Sequence, residues 1–143
     1  MSINKLLYTA HAVASGGRNG HTESRDGVIK ADLSVPKAMG GAGKPGTTTP
    51  EDLFAAGYAA CFGGAVDYMA TQMKLKPTSL EVEAAVGIGS DDSGFGLKVD
   101  LTVWVSGLSE SDAQKIVEAG HKFCPYSKAT RNNIEVGLKT IVV

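Results

Sequence analysis

Two cysteines, Cys61 and Cys124, are the residues of this sequence with the widest range of possible chemistry. Two are too few for the disulfide framework of a small secreted domain, and no CxxC pair suggests a thioredoxin-type motif or a structural zinc site. A cysteine can instead be a reactive nucleophile, or a small apolar residue that only packs. If the two thiols cooperate, the fold must bring them together.

The predicted helical context of each cysteine indicates different roles. Cys61 lies well inside a long predicted helix, too far from its N-terminus for free N–H groups to lower the thiol pKa, so reactivity needs a nearby cation. Cys124 lies at the end of a second predicted helix, where the helix dipole disfavours a thiolate. We expect Cys61 to be the better nucleophile and Cys124 to suit attack on an oxidised sulfur. A buried, inert Cys61 is the alternative.

The helix that carries Cys61 is predicted from Thr49 to about Lys74. Thr49 offers an N-cap hydroxyl, Pro50 suits the first helical position, and the acidic residues that follow face the positive end of the dipole. Apolar residues surround the axis almost completely, which indicates a helix buried on most sides. These residues are Leu53, Phe54, Ala55, Ala56, Tyr58, Ala59, Ala60, Phe62, Ala65, Val66 and Met69.

Three glycines interrupt this helix, Gly57, Gly63 and Gly64. Each costs roughly 1 kcal/mol relative to alanine in a helix interior. We therefore expect another backbone to approach the helix closely at these positions.

An antiparallel meander is predicted before the long helix, with strands in residues 7–14, 20–25 and 28–35 and a turn at Asp26-Gly27. Pro36 to Thr49 follows as a glycine-rich segment. It lacks the phosphate-loop spacing, which would need glycine at Ala38 and serine or threonine at Pro45, so we interpret it as a flexible surface loop.

Two strands, a second helix and a final strand are predicted after the long helix. The strands span residues 80–88 and 95–105, and apolar residues alternate from Phe95 to Val105. The second helix begins at Ser109 with Asp112 in the capping-box position, buries residues that include Phe123, and halts at Pro125. Residues 134–143 form the last strand.

Composition and charge exclude several function classes. The 143 residues, 43% of them hydrophobic, suit a single domain over residues 1–143. The 14 basic and 15 acidic residues nearly cancel without a basic cluster, which argues against nucleic acid as a partner. No apolar run approaches the ~20 residues of a membrane helix. The N-terminus lacks the apolar core of a signal peptide, so we expect a cytoplasmic protein.

Three motifs together resemble a known family. The run TPEDLFAAGYAACF from Thr49 to Phe62 is similar to the cysteine-helix signature of organic hydroperoxide resistance proteins, in the OsmC-like superfamily. CPYS at positions 124–127 resembles that family's second cysteine motif, and GGRNG at positions 16–20 also matches. The resemblance extends from Leu7 to Val143.

The resemblance implies both a fold and a chemistry. The fold is α+β, with antiparallel sheets around a long central cysteine-bearing helix in an intertwined homodimer. Cys61 attacks an organic hydroperoxide, Cys124 resolves the sulfenic acid, and Arg18 with Glu51 activates the site. A lipoyl dithiol on a partner protein restores the thiols, and no metal or bound cofactor is needed. Without the resemblance, Arg18 reads as a solvated turn residue and Glu51 as a helix-dipole acid.

A mostly apolar pocket is expected to favour alkyl, aryl or fatty-acyl hydroperoxides over hydrogen peroxide, which gains nothing from apolar walls. Residues that form the core are expected to line part of it. The candidates are Met39, Phe54, Phe62, Met69 and Phe123.

Helix geometry limits how Glu51 can act. Glu51 and Cys61 would stand roughly 15 Å apart along one straight helix, so they cannot touch. Either Arg18 spans the gap, or the Arg18–Glu51 pair comes from another subunit. We favour the second arrangement, since the helix glycines would let a partner chain approach.

Two rival functions remain open. The first is a cysteine hydrolase with a histidine base, although His11, His21 and His121 show no ligand spacing and lie in separate predicted elements. The second is a ligand-binding module whose cysteines only pack.

Overall fold

The computed structural model describes residues 2–143, which form two compact units. The first ends at Pro50 and the second runs from Glu51 to Val143. Both α-helices and β-strands are present, which confirms the α+β class. A single domain over residues 1–143 remains a prediction.

The first unit contains a four-stranded sheet. Strands β1 (Ala12–Ser15), β2 (His21–Ser24) and β3 (Lys30–Leu33) pair antiparallel, as the meander predicted, although β1 begins later than expected. A short strand β4 (Thr47–Thr48) pairs parallel to β3. The expectation of purely antiparallel sheets is therefore wrong here, because the glycine-rich segment returns to the sheet in the same direction as β3.

The glycine-rich segment has more regular structure than a flexible loop. It contains a 3-10 turn (Lys37–Met39), and the Gly41 N–H donates to the Pro36 carbonyl at 3.0 Å. A Cβ at Gly41 would lie 2.2 Å from the Val35 carbonyl oxygen, so this turn requires glycine.

Helix α1 (Pro50–Gln72) carries Cys61 and agrees with the predicted long helix. One face is buried in the core of the second unit, through Tyr58, Phe62, Ala65, Val66 and Ala70. A line of small residues on another face, Ala56, Ala60 and Gly64, is exposed in the single chain. The expectation of burial on most sides is therefore wrong for one chain.

The helix glycines have different neighbours from those expected. A Cβ at Gly57 would meet the Tyr126 hydroxyl at 3.2 Å, and one at Gly63 would meet Val82 Cγ2 at 3.5 Å. At Gly64 it would meet nothing within 4 Å. Within the chain, side chains rather than a backbone approach two of these glycines.

The second unit has a three-stranded sheet. Strands β5 (Ser79–Asp91) and β6 (Gly94–Ser106) form a long antiparallel hairpin, as predicted. Strand β7 (Val136–Val142) pairs parallel to β6, so this sheet is also mixed. The helical connection after β6 carries the chain back to start β7 in the same direction. The predicted inward face of β6 is correct except at Phe95, which is 75% exposed.

Helices α2 (Glu110–Phe123) and α3 (Pro125–Thr130) connect β6 to β7. The Ser109 hydroxyl caps α2 by accepting a hydrogen bond from the Asp112 N–H at 3.1 Å, which confirms the predicted N-cap. Phe123 does not point inward as expected. It is 46% exposed and stacks on Tyr68 of α1, with ring centroids 4.7 Å apart.

Within residues 2–143, no helix has the length and apolar character needed to cross a membrane.

Candidate thiol site

The two cysteine side chains lie in contact. Cys61 is in the middle of α1, Cys124 follows the last residue of α2, and their sulfur atoms are 3.5 Å apart, with the Cys124 thiol donating to Cys61. Both are free thiols; Cys124 is fully buried and Cys61 is partly exposed. A disulfide bond is about 2.05 Å long, so a small movement would join them. The fold thus brings the cysteines together.

Cys124 lies at the junction of two helices, α2 and α3. It is the C-cap of α2, where its N–H donates to the Gly120 carbonyl at 2.8 Å, and it is also the N-cap of α3. The negative end of one helix dipole and the positive end of another therefore meet at this residue. The dipole of α2 alone does not set its thiol chemistry.

A backbone N–H that sequence reasoning missed contacts Cys61. The Tyr126 backbone N–H is directed at the Cys61 sulfur, and its partial positive charge lowers the pKa of the thiol. Tyr126 is the second residue of α3, and the first, Pro125, has no N–H. Tyr126 therefore carries one of the N–H groups that a helix start leaves unpaired. Cys61 is far from the start of its own helix, but the N–H of a residue in the first turn of α3 is directed at it.

Opposing effects act on the acidity of Cys61. Burial raises the pKa of the thiol, the Tyr126 N–H lowers it, and negative charge on the neighbouring Cys124 sulfur raises it. The net direction is upward. These contacts alone keep the sulfur protonated at neutral pH, so an active thiolate at Cys61 needs a further source of positive charge.

A buried chain of hydroxyl groups lies beside the thiols. The Tyr58 hydroxyl is 2.8 Å from Ser127 Oγ and 3.1 Å from Thr130 Oγ1. His121 Nδ1 is 2.8 Å from Ser127 Oγ. Burial, and next the charge of Arg131, lowers the pKa of His121. Tyr58 and Ser127 belong to the two cysteine motifs, and that location was the signal available in the sequence.

The other two proposed catalytic residues lie in different units. Arg18 belongs to a 3-10 turn (Gly17–Asn19) of the first unit, preceded by Gly16 in a left-handed conformation. Glu51 lies in the first turn of α1, in the second unit. Both side chains are partly exposed. Glu51 and Cys61 share one continuous helix, as the predicted separation assumed.

The three histidines occupy different parts of the chain, with His11 before β1, His21 in β2 and His121 in α2. His11 is exposed, and His21 of β2 binds two carboxylates, Asp32 at 2.8 Å and Glu23 at 3.0 Å. His121 directs Nδ1 to Ser127. Across residues 2–143, no group of three or more His, Cys, Asp or Glu side chains could hold a metal ion.

An open apolar groove of about 440 Å³ lies beside Tyr126. Of the pocket candidates in the second unit, Phe54 lines it, whereas Phe62 is fully buried in the core and Phe123 stacks on Tyr68. The complete lining is Phe54, Leu97, Tyr126, Ala129, Thr130, Asn133 and Ile134. Tyr126 links the groove to the thiol site, because its side chain lines the groove and its N–H is directed at Cys61, which does not itself line the groove.

Comparisons with known proteins agree on one family. Residues 41–139 match the model of the OsmC family, described as OsmC-like protein. The chain is 51% identical over 138 residues to an organic hydroperoxide resistance protein of Xanthomonas axonopodis pv. citri, covering 96% of each chain. It is 47% identical over 135 residues to organic hydroperoxide resistance protein OhrB of Bacillus subtilis, covering 93% of this chain and 97% of OhrB.

A solved structure has the same fold. The crystal structure of an organic hydroperoxide resistance protein from Elizabethkingia anophelis superposes with a TM-score of 0.91 at 45% identity, covering 97% of this chain and 99% of the other.

Proposed function

Since the chain belongs to the organic hydroperoxide resistance proteins of the OsmC-like family, we propose that it is a thiol peroxidase that reduces organic hydroperoxides through Cys61. One observation carries the proposal, the 3.5 Å contact between the Cys61 and Cys124 sulfurs. A packing cysteine needs no second thiol beside it. A peroxidase that ends its oxidation in a disulfide does.

The reaction has three stages. The Cys61 thiolate attacks the outer peroxide oxygen, the O–O bond breaks, and the leaving alkoxide takes a proton to become an alcohol. The Cys124 sulfur then attacks the Cys61 sulfenic acid and expels water, which forms the disulfide. A dithiol reductant opens the disulfide by exchange and is itself oxidised to a disulfide. By family resemblance, we propose a lipoyl group on a partner protein as this reductant.

Arg18 is proposed as the cation that activates Cys61. Burial raises the pKa of Cys61, and a guanidinium is a charge that persists at any working pH and favours the thiolate. Glu51 is proposed to orient Arg18 by a charge-assisted hydrogen bond. In this proposal the chain acts as a homodimer, and the Arg18–Glu51 pair comes from the other subunit.

The groove beside Tyr126 is proposed to hold the carbon chain of the substrate. Phe54, Leu97 and Ile134 offer apolar walls to an alkyl, aryl or fatty-acyl group, which gains from leaving water. Hydrogen peroxide has no such group. The preferred hydroperoxide should therefore be organic.

The cytoplasm is the proposed location. The catalytic cycle must return to two free thiols, and the cytoplasm keeps thiols reduced.

Counting free thiols after one equivalent of an organic hydroperoxide tests the proposal. Both thiols should disappear rapidly, and a dithiol should restore them. A cysteine hydrolase or a ligand-binding module with packing cysteines would show no rapid stoichiometric loss. Hydrogen peroxide at the same concentration is the matched control and should react more slowly.

A further inference from the structure

Tyr58 of α1 and Ser127 of α3 are joined by a buried hydrogen bond of 2.8 Å between their hydroxyl oxygens. Both side chains are fully buried, yet neither takes part in the thiol chemistry proposed above. The bond connects residues 69 positions apart. Burying a hydroxyl group costs free energy unless the group is hydrogen-bonded. Each of these two hydroxyls therefore depends on the other as a partner.

The hydrogen bonds around this pair form one ordered chain. The Thr130 hydroxyl donates to the Ser127 carbonyl at 3.2 Å, so its oxygen accepts from Tyr58. Tyr58 then accepts from Ser127, and Ser127 accepts from His121 Nδ1–H. This is the order in which every hydroxyl donates once. Each group is paired, and losing one hydroxyl leaves a buried partner without its bond.

The hydroxyl bond and the thiol contact join the same two helices. Tyr58 and Cys61 lie three residues apart on α1, and Ser127 directly follows Tyr126 on α3. The Tyr126 ring also packs on Tyr58, with centroids 5.7 Å apart. Helix α3 has only six residues, too few to be stable by itself, so its position depends on such tertiary contacts.

We propose that Tyr58 and Ser127 are positioning residues for the thiol pair: their hydrogen bond fixes α3 against α1 and so holds the Tyr126 backbone N–H on the Cys61 sulfur. The importance of this positioning for catalysis rests on the proposed role of Cys61 as the attacking thiol. The N–H favours the thiolate over the thiol because it is a donor aimed at the charge that forms. The same bond keeps Cys124, the N-cap of α3, beside Cys61.

Alkylation of Cys61 by iodoacetamide across a range of pH tests the inference. All chains carry Cys124→Ser, so that one thiol reports. Tyr58→Phe and Ser127→Ala should each move the midpoint of the rate profile to higher pH. Alkylation at neutral pH should slow roughly two- to tenfold, the range of one modest hydrogen bond.

Two controls separate positioning from general loss of stability. Tyr68→Phe removes the hydroxyl of a half-exposed tyrosine on the same helix and should leave the profile unchanged. Val117→Ala weakens the core at a residue that is not a member of the hydroxyl chain and should also leave the profile unchanged. If Tyr58→Phe does not fold, Thr130→Val, which removes one partner of Tyr58, gives the same test with a smaller shift.

Profiles of Tyr58→Phe and Ser127→Ala that coincide with the Cys124→Ser parent would overturn the inference, as would an equal shift in Val117→Ala. The assay uses no peroxide, so it is independent of the proposed function. If thiol counting with a hydroperoxide fails on the unmutated chain while the alkylation shift appears, the peroxidase proposal is wrong and the positioning role stands.

Discussion

Gly120 of α2 lies against Val66 of α1 so closely that a Cβ at Gly120 would fall 2.5 Å from Val66 Cγ2 and 3.1 Å from the Val66 nitrogen. The close helix approach that the sequence placed at the glycines of α1 is therefore made by a glycine of α2. The Cys124 N–H donates to the Gly120 carbonyl, so the close contact of α1 and α2 at Gly120 also sets the position of the Cys124 thiol.

Gly120→Ala should push α2 away from α1 and destabilise the protein by about 1–3 kcal/mol, as overpacking of a core does. Thermal unfolding should show a lower Tm. The Cys61–Cys124 disulfide should also form more slowly after oxidation, because the sulfurs move apart. Gly89→Ala is the matched control, since Gly89 is an exposed residue of β5 where a Cβ meets nothing within 4 Å of the chain. A Gly120→Ala protein with unchanged Tm would contradict the crossing geometry.

Cys124→Ser should leave the first oxidation of Cys61 intact and remove its resolution. The Cys61 sulfenic acid then persists, and excess hydroperoxide drives it to sulfinic acid, which a dithiol does not reduce. Mass spectrometry of the intact protein should show the added oxygen atoms on Cys61. Cys61→Ser is the control and should gain no oxygen at position 61 and lose turnover, since a serine hydroxyl is not a comparable nucleophile. Continued dithiol cycling by Cys124→Ser without over-oxidation would argue against resolution by Cys124.

Local signals in the sequence were sufficient for much of the second unit. Ser109 and Asp112 lie three positions apart, so the cap of α2 depends on no distant residue. The alternation along β6 likewise defines its buried face. The bond between Tyr58 and Ser127 joins residues 69 positions apart, and the Tyr126 N–H acts on a cysteine of another helix. No local pattern encodes such contacts.

The parallel strands were missed for a similar reason. The apolar pattern of β7 predicts a strand but not its direction, which depends on how α2 and α3 carry the chain across the sheet. The contact of the two cysteines was expected only if they cooperate. The motif resemblance, rather than their spacing, supplied that expectation.

The first sheet should depend on pH through His21. Its hydrogen bond to Asp32, and next the one to Glu23, raises the pKa of His21, so this contribution to stability is present below about pH 6.5 and is lost as pH rises through the raised value. Bonding to His21 lowers the pKa of Glu23, whose contribution is present above about pH 4.3 and is lost as pH falls through the lowered value. The two overlap in mildly acidic solution.

NMR titration of the His21 ring measures this effect directly. Asp32→Asn should lower the His21 pKa, because it removes the largest contribution. Asp26→Asn removes the same charge from a residue that bonds Ser24 and Val28 instead, and it serves as the control. Equal shifts in both variants would mean that overall charge, rather than the cross-strand bond, sets the pKa of His21.

Arg18→Ala should raise the pKa of Cys61 and make its oxidation at neutral pH too slow to support turnover, since the fixed charge that favours the thiolate is lost. Arg18→Lys should be tolerated only in part, because an ammonium lacks the planar fork of the guanidinium. The alkylation rate of Cys61 against pH measures the shift. Arg25→Ala, at an exposed arginine of the same unit, is the control. Identical titration of the thiol in Arg18→Ala and the parent would remove Arg18 as the activating charge.

The proposed origin of Arg18 in a second subunit is tested by mixing two inactive chains. Glu51 and Cys61 share one continuous helix and are separated by roughly 15 Å along its axis. Glu51 therefore cannot contact the Cys61 sulfur of its own chain. Ala56, Ala60 and Gly64 leave a face of this helix exposed that a second chain can approach closely. A site shared between two chains has a simple consequence for mixed dimers.

Cys61→Ser and Arg18→Ala chains should each be inactive alone. In their heterodimer, the intact Cys61 of one chain meets the intact Arg18 of the other, so one of the two symmetric sites is complete. Unfolding and refolding the chains together should restore activity in about half of the heterodimer's sites. Refolding each chain alone is the control and should restore none. If native mass spectrometry detects heterodimers and the activity stays at the level of the separate chains, Arg18 acts within its own chain.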